Sequence, residues 1–129
     1  MSMKLYLNLP VTDALKARDF YVSIGFASKE GFSNSISETV IINDGTLLML
    51  VKEEYFKEAA KRNIADAETT AETVLAIEVE TREAVDTMLD KVREAGAKEI
   101  DEAFEHEGMY TRIFRDLDGH QCNIFASGV

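Results

Sequence analysis

Two stretches of this chain run through the same order of patterns, and that repetition limits the fold more than any single residue does. Leu5, Leu7, Leu9 and Val11 alternate with Lys4, Tyr6, Asn8 and Pro10, the period of two expected of a strand with one face on an apolar layer. Asp13 is an N-cap type, and Ala14 to Ile24 reads as a helix with Leu15, Phe20, Tyr21 and Ile24 inward, ended by Gly25. The aromatic pair Phe20-Tyr21 has core spacing. Phe26 to Ser28, Ser35 to Asn43 and Thr46 to Val51 read as strands, the last two joined by a hairpin at Asp44-Gly45. The order then returns. Val74 to Val79 is a strand, and Thr81 caps a helix over Glu83 to Ala95 with Ala84, Val85, Met88, Leu89 and Val92 inward. Gly96 ends that helix, and strands are predicted near Lys98 to Ile100, Met109 to Arg115 and Gln121 to Phe125.

Tandem βαβββ modules over about 4–52 and 73–126 imply an α+β fold in one domain, 1–129. The connector 53–72 begins with a helical pattern over Glu53 to Asn63, with Tyr55, Phe56 and Ala59 or Ala60 on one side, and continues as a polar loop. The Lys52-Glu53-Glu54 run is an exposed helix start whose acids suit the helix dipole.

Charge narrows the partners. The formal net charge of -10 argues against nucleic acid and against anionic membrane surfaces. No apolar run approaches the roughly 20 residues of a membrane span. Met1-Ser2-Met3-Lys4 lacks a signal-peptide core, and the single cysteine, Cys122, leaves no intrachain disulfide. A cytoplasmic protein is the expectation.

Three short stretches occur in a recognisable order: Leu9-Pro10-Val11-Thr12-Asp13, Arg18-Asp19-Phe20-Tyr21, and Asp116-Leu117-Asp118-Gly119-His120 before the last strand. With the repeated module they resemble the vicinal-oxygen-chelate superfamily, which includes glyoxalase I, bleomycin-resistance proteins and extradiol dioxygenases. Asn8-Leu9-Pro10-Val11 and Ile64-Ala65-Asp66-Ala67 are similar to a bacterial subgroup named as predicted lactoylglutathione lyases. The resemblance covers nearly the whole chain. It implies a curved mixed-sheet cup with helices outside, a ligand inside, and a homodimer. Strand edges near Phe26 to Ser28 and Lys98 to Ile100 would otherwise be exposed.

Metal-using members of that superfamily hold a divalent cation with four side chains. Carried over, those positions fall at Tyr6, at Met49 or Leu50, at Val74 and at Asn123. A cation of this kind wants nitrogen or oxygen donors near 2.0–2.2 Å with positions left open for substrate. Met, Leu and Val supply none, so no metal and no other cofactor is expected. His106, within Glu105-His106-Glu107-Gly108, reads as part of a solvated acidic loop, with a substrate contact as the alternative. His120 reads as structural, on the same strand face as Cys122 and Ile124.

In the orientation the resemblance implies, the cup lining is Tyr6 and Asn8, then Val74, Ala76 and Glu78, then Gln121, Asn123 and Phe125. Apolar walls with a few neutral polar groups suit a small organic molecule. Glu78 is the candidate general base if the cup buries it, and a solvated strand-end carboxylate if not. Tyr110 and Arg112 are candidates for an anionic group on the ligand, or Arg112 pairs with Glu102 or Glu105. The expected function is metal-free binding of a small molecule. The alternatives are a lyase or isomerase with a non-standard site, of lactoylglutathione lyase type, and a dimerisation scaffold whose cup is filled by its own side chains.

Overall fold

The alternation at the N-terminus becomes a strand, and Asp13 starts a helix by accepting the Lys16 N–H at 3.0 Å. The computed structural model describes residues 2–29, 31, 34 and 36–128; Ser35, where the sequence predicts a strand to open, lies outside them. The order is β1 (Leu5–Val11), α1 (Ala14–Ser23), β2 (Ala27–Ser28), β3 (Ser37–Asn43), β4 (Thr46–Lys52), α2 (Glu53–Ala60), β5 (Val74–Glu78), α3 (Arg82–Glu94), β6 (Lys98–His106), β7 (Met109–Arg115) and β8 (Gln121–Ser127). The fold is α+β, with two four-stranded mixed sheets. The chain divides into two compact units, one up to Ala65 and one from Asp66 onward. No helix among the described residues is long and apolar enough to cross a membrane.

In the first unit the strand order is β1-β4-β3-β2, with β1 parallel to β4 and the other pairs antiparallel. One face of this sheet packs on α1. Val40, Leu48 and Leu50 lie there with Leu9 and Val11, against Ala14, Ala17, Phe20, Tyr21 and Ile24, all buried. The Phe20 and Tyr21 rings meet edge-on at 5.2 Å, inside the core as their spacing predicts. Leu15, expected inward, is exposed, because the stripe through Ala14, Ala17, Tyr21 and Ile24 leaves it on the solvent side. Helix α2 is shorter than its pattern, ending where Lys61 turns left-handed at φ 62°. Phe56 is half-buried while Tyr55, Ala59 and Ala60 are exposed, so the expected apolar side is not covered.

In the second unit the order is β5-β8-β7-β6, again with the module's first strand parallel to its last. Thr81 caps α3 by accepting the Ala84 N–H at 3.0 Å. Val85, Leu89 and Val92 are fully buried, as are Cys122, Ile124 and Ala126 on β8 and, at 1%, Phe114 on β7. Strand β6 runs six residues beyond Ile100, where the sequence predicts it to end. Its acidic stretch resembles a loop, but it is an edge strand with its side chains in water, and the register shift between Ile100 and Phe104 with Asp101 at φ 58° breaks the alternation.

The Asp116–His120 turn is held by the Asp116 carboxylate, whose Oδ1 accepts the N–H groups of Asp118 and His120 at 2.9 Å each. Gly119 sits at φ 90° and packs against the 66–70 turn, so that a Cβ there would lie 2.7 Å from Glu68 Oε1 and 3.2 Å from the Ala67 carbonyl carbon. Gly119→Ala is expected to destabilise the protein by about 2 kcal/mol, through left-handed strain and displacement of that turn. Urea unfolding checks this, and a change within experimental error would show that the turn yields freely.

Candidate functional site

Each sheet has a face packed on its helix and a far face, and strand parity assigns the candidate residues to one or the other. In the first unit Glu38 reaches Arg18 of α1 at 3.1 Å, which marks the helix face. Its neighbours Ser37, Thr39 and Ile41 therefore point to the far face. The ladder pairs Thr39 with Met49 and Met49 with Asn8, Ile41 with Leu47 and Leu47 with Tyr6, and Ser37 with Val51. Tyr6 and Asn8 are thus brought together on this face. Exposure rises across it, from buried Thr39 through half-buried Met49 to exposed Asn8. The Asn8 amide donates to the Tyr6 carbonyl at 3.0 Å.

In the second unit Gln121, Asn123, Phe125 and Glu78 share the far face with Val74 and Ala76, the grouping that period two predicts. The Gln121 amide donates to Asn123 Oδ1 at 3.1 Å. Glu78 is exposed at the end of β5, and the Ser127 hydroxyl donates to its Oε2 at 2.5 Å. The burial that would fit this carboxylate for proton abstraction is absent within its unit.

Tyr110 and Arg112 are separated from these residues. Their ladder partners are Ala126 and Ile124, so they face α3, and the anions they meet belong to the protein. Arg112 forks onto Glu99, Nε to Oε2 at 2.8 Å and Nη2 to Oε1 at 2.6 Å, and reaches Asp86 Oδ1 at 2.9 Å. The acids are therefore Glu99 and Asp86 rather than Glu102 or Glu105, and Glu105 pairs with Arg82. The Tyr110 hydroxyl donates to Asp86 at 2.6 Å, and the Arg82 guanidinium lies 4.1 Å from the centre of the Tyr110 ring. Hydrogen bonds hold both carboxyls below their ordinary range, chiefly from Tyr110 for Asp86 and from Arg112 for Glu99, against a smaller opposing effect of burial. Burial, followed by Asp86, pushes the Tyr110 phenol up. The bond to Glu99 raises Arg112 further. This network ties α3 to β6 and β7.

The four positions that the resemblance assigns to metal ligands hold Tyr6, Met49 or Leu50, Val74 and Asn123, a donor set that does not fit a divalent cation. Among the described residues no group of three or more His, Cys, Asp or Glu side chains is placed to hold one. His106 is exposed at the end of β6, beside the turn through Glu107 and Gly108. His120 precedes β8, its main chain engaged with Asp116 in both directions.

Thr39 was not singled out from the sequence. It is 2% exposed, and its Oγ1 is a buried side-chain polar atom with no hydrogen-bond partner. The alternation Ser37-Glu38-Thr39-Val40-Ile41 could have placed it on the far face, but burial and the missing partner are tertiary facts.

Residues 5–124 match the model of the Glyoxalase/Bleomycin resistance protein/Dioxygenase superfamily. Among solved structures, a hypothetical protein from S. aureus is 28% identical with a TM-score of 0.84, over 98% of this chain and 94% of that one. A glyoxalase/bleomycin resistance protein/dioxygenase family enzyme from Burkholderia phytofirmans PsJN is 20% identical with a TM-score of 0.81, over 95% and 96%. An antibiotic binding protein from Streptomyces sp. CB03234 is 20% identical with a TM-score of 0.68, over 99% and 98%. No curated protein matches this chain.

Proposed function

The chain belongs to the Glyoxalase/Bleomycin resistance protein/Dioxygenase superfamily, and from that premise we propose that it binds a small organic molecule without the metal site used by the chelating members. One observation carries the proposal: the positions that the resemblance assigns to metal ligands hold Tyr6, Met49 or Leu50, Val74 and Asn123, side chains suited to apolar and neutral polar contacts rather than to coordination bonds. The Streptomyces neighbour, described as an antibiotic binding protein, is an instance of the fold used for binding. A lactoylglutathione lyase or metal-free isomerase relying on Glu78 has less support, since that side chain is exposed and already hydrogen-bonded to Ser127. We also propose that two copies pair in the cytoplasm, as the family resemblance implies.

The test is elemental analysis after incubation with Ni, Zn, Mn or Fe and dialysis, beside an assay of hemithioacetal isomerisation with the same ions and Co. Far less than one metal per chain and no rate above background are expected. A stoichiometric metal with a metal-dependent rate would overturn the proposal in favour of the lyase. A thermal-shift panel of aromatic and antibiotic-like compounds supplies the positive arm. A ligand at a hundred times its Kd should add about 2.7 kcal/mol of stability.

A further inference from the structure

The far face of the first sheet presents Tyr6, Asn8 and Pro10 from β1, Leu47, Met49 and Val51 from β4, and Ser37, Thr39 and Ile41 from β3. None of these is charged. Among these residues Thr39 Oγ1 is buried with no hydrogen-bond partner, although the Thr39 carbonyl is satisfied by the Lys29 N–H at 2.9 Å. An orphan hydroxyl of this kind is unusual, because buried polar groups in folded proteins nearly always find partners. In a strand the hydroxyl has no preceding helical turn whose carbonyl it could bond. No described residue of the chain supplies a partner.

We infer that Thr39 is the hydrogen-bonding residue for the ligand, and that the ligand is an uncharged, largely apolar molecule presenting one hydroxyl or carbonyl oxygen to it. This rests on the proposal that the chain binds organic molecules. The class follows from desolvation. A charged group placed beside Leu47, Met49 and Val51 would lose its water and meet no counter-charge on β1, β3 or β4, the nearest cation by register being Lys29, beyond Thr39 at the β2 edge. A neutral oxygen completes the one bond the face lacks, and the Thr hydroxyl serves either kind, donating to a carbonyl or accepting from a hydroxyl. The approach is from the β1 side. Met49 stands between Thr39 and exposed Asn8 in the same row, and its flexible, unbranched side chain can move aside without breaking a polar contact.

The probes are 1-naphthol, naphthalene, 1-naphthoate and 1-naphthylmethylammonium, titrated against wild type, Thr39→Val and Thr39→Ser. Wild type is expected to bind naphthol more tightly than naphthalene and to bind both ions far more weakly. Thr39→Val, which keeps the shape and removes the hydroxyl, should weaken naphthol roughly tenfold and leave naphthalene unchanged, while Thr39→Ser keeps most of the naphthol affinity. Unliganded Thr39→Val should melt at or above wild type, since the hydroxyl it removes has no partner. In a structure of the wild-type complex the naphthol oxygen should lie within hydrogen-bond distance of Thr39 Oγ1. Binding of neither neutral probe overturns the proposed function and this inference together. Equal naphthol affinity in wild type and Thr39→Val, or a naphthol oxygen directed elsewhere, overturns the role of Thr39 and leaves the function standing. Either ion binding as tightly as naphthol overturns the uncharged class.

Discussion

Replacing Arg112 with alanine is expected to lower the free energy of unfolding by about 3 kcal/mol, because it strands Glu99 and weakens the hold on Asp86. The Arg112 and Glu99 side chains are only 11% and 16% exposed, whereas Asp86 is 45% exposed and better screened by water. The loss therefore falls mainly on Glu99. Arg112→Lys should recover only part of it, since an ammonium does not reproduce the two-pronged contact. The pH dependence gives a second reading of the same network. Both carboxyls titrate below their ordinary values when folded, so the unfolded chain takes up protons first as acid is added. Their contribution is complete above about pH 5, falls as pH drops through the ordinary carboxylate range near 4, and is gone below the depressed folded values. Denaturant unfolding from pH 7 down to pH 3 should show this acid limb in wild type and a shallower one in Arg112→Ala. Equal slopes would mean that the contacts of Arg112 leave the two carboxyls unperturbed. Because Arg112 faces α3, Arg112→Lys is also expected to leave ligand affinity unchanged, and a large loss of affinity would return it to the binding site.

Leu89→Ala should be at least as damaging, at about 3–4 kcal/mol. Leu89 is fully buried between Val85 and Val92 along α3, the helix that covers Cys122, Ile124 and Ala126. The alanine leaves a void that a helix tied at its other contacts to β6 and β7 closes only in part. Leu89→Met, which nearly preserves volume, is expected to lose less than about 1.5 kcal/mol. Calorimetry distinguishes the two, since 3 kcal/mol corresponds to a fall of roughly 10 °C or more in Tm. A Leu89→Ala protein melting within a few degrees of wild type would mean that α3 repacks and that its inner stripe does not anchor it.

Element order and strand parity were legible in the sequence because both are local. Asp13 and Thr81 are caps by residue type, and Glu78 shares a face with Gln121, Asn123 and Phe125 by period two and register. Other features depended on neighbours distant in sequence. Residues 101–106 look like an acidic loop until β7 is placed beside them, when an edge strand can keep every charge in water. Leu15 looks inward by hydropathy but lies off the stripe that α1 buries, and Tyr55 stands on a helix that fully buries none of its residues.

Tyr110 and Arg112 show the division clearly. Both faces of β7 carry polar groups, so its pattern alone does not say which one meets α3; pairing with Ala126 and Ile124 decides it, and Asp86 and Glu99 then claim both side chains. The sequence by itself determined the repeated module, the helix starts and the uncharged residues at the family's metal positions, since these depend only on residue type and spacing. Tertiary structure alone decided that Glu78 stays in water, that Arg112 is held by internal acids, and that the Thr39 hydroxyl is buried without a partner. Burial and hydrogen-bond satisfaction belong to what packs around an atom, and the covering residues come from strands and helices far along the chain.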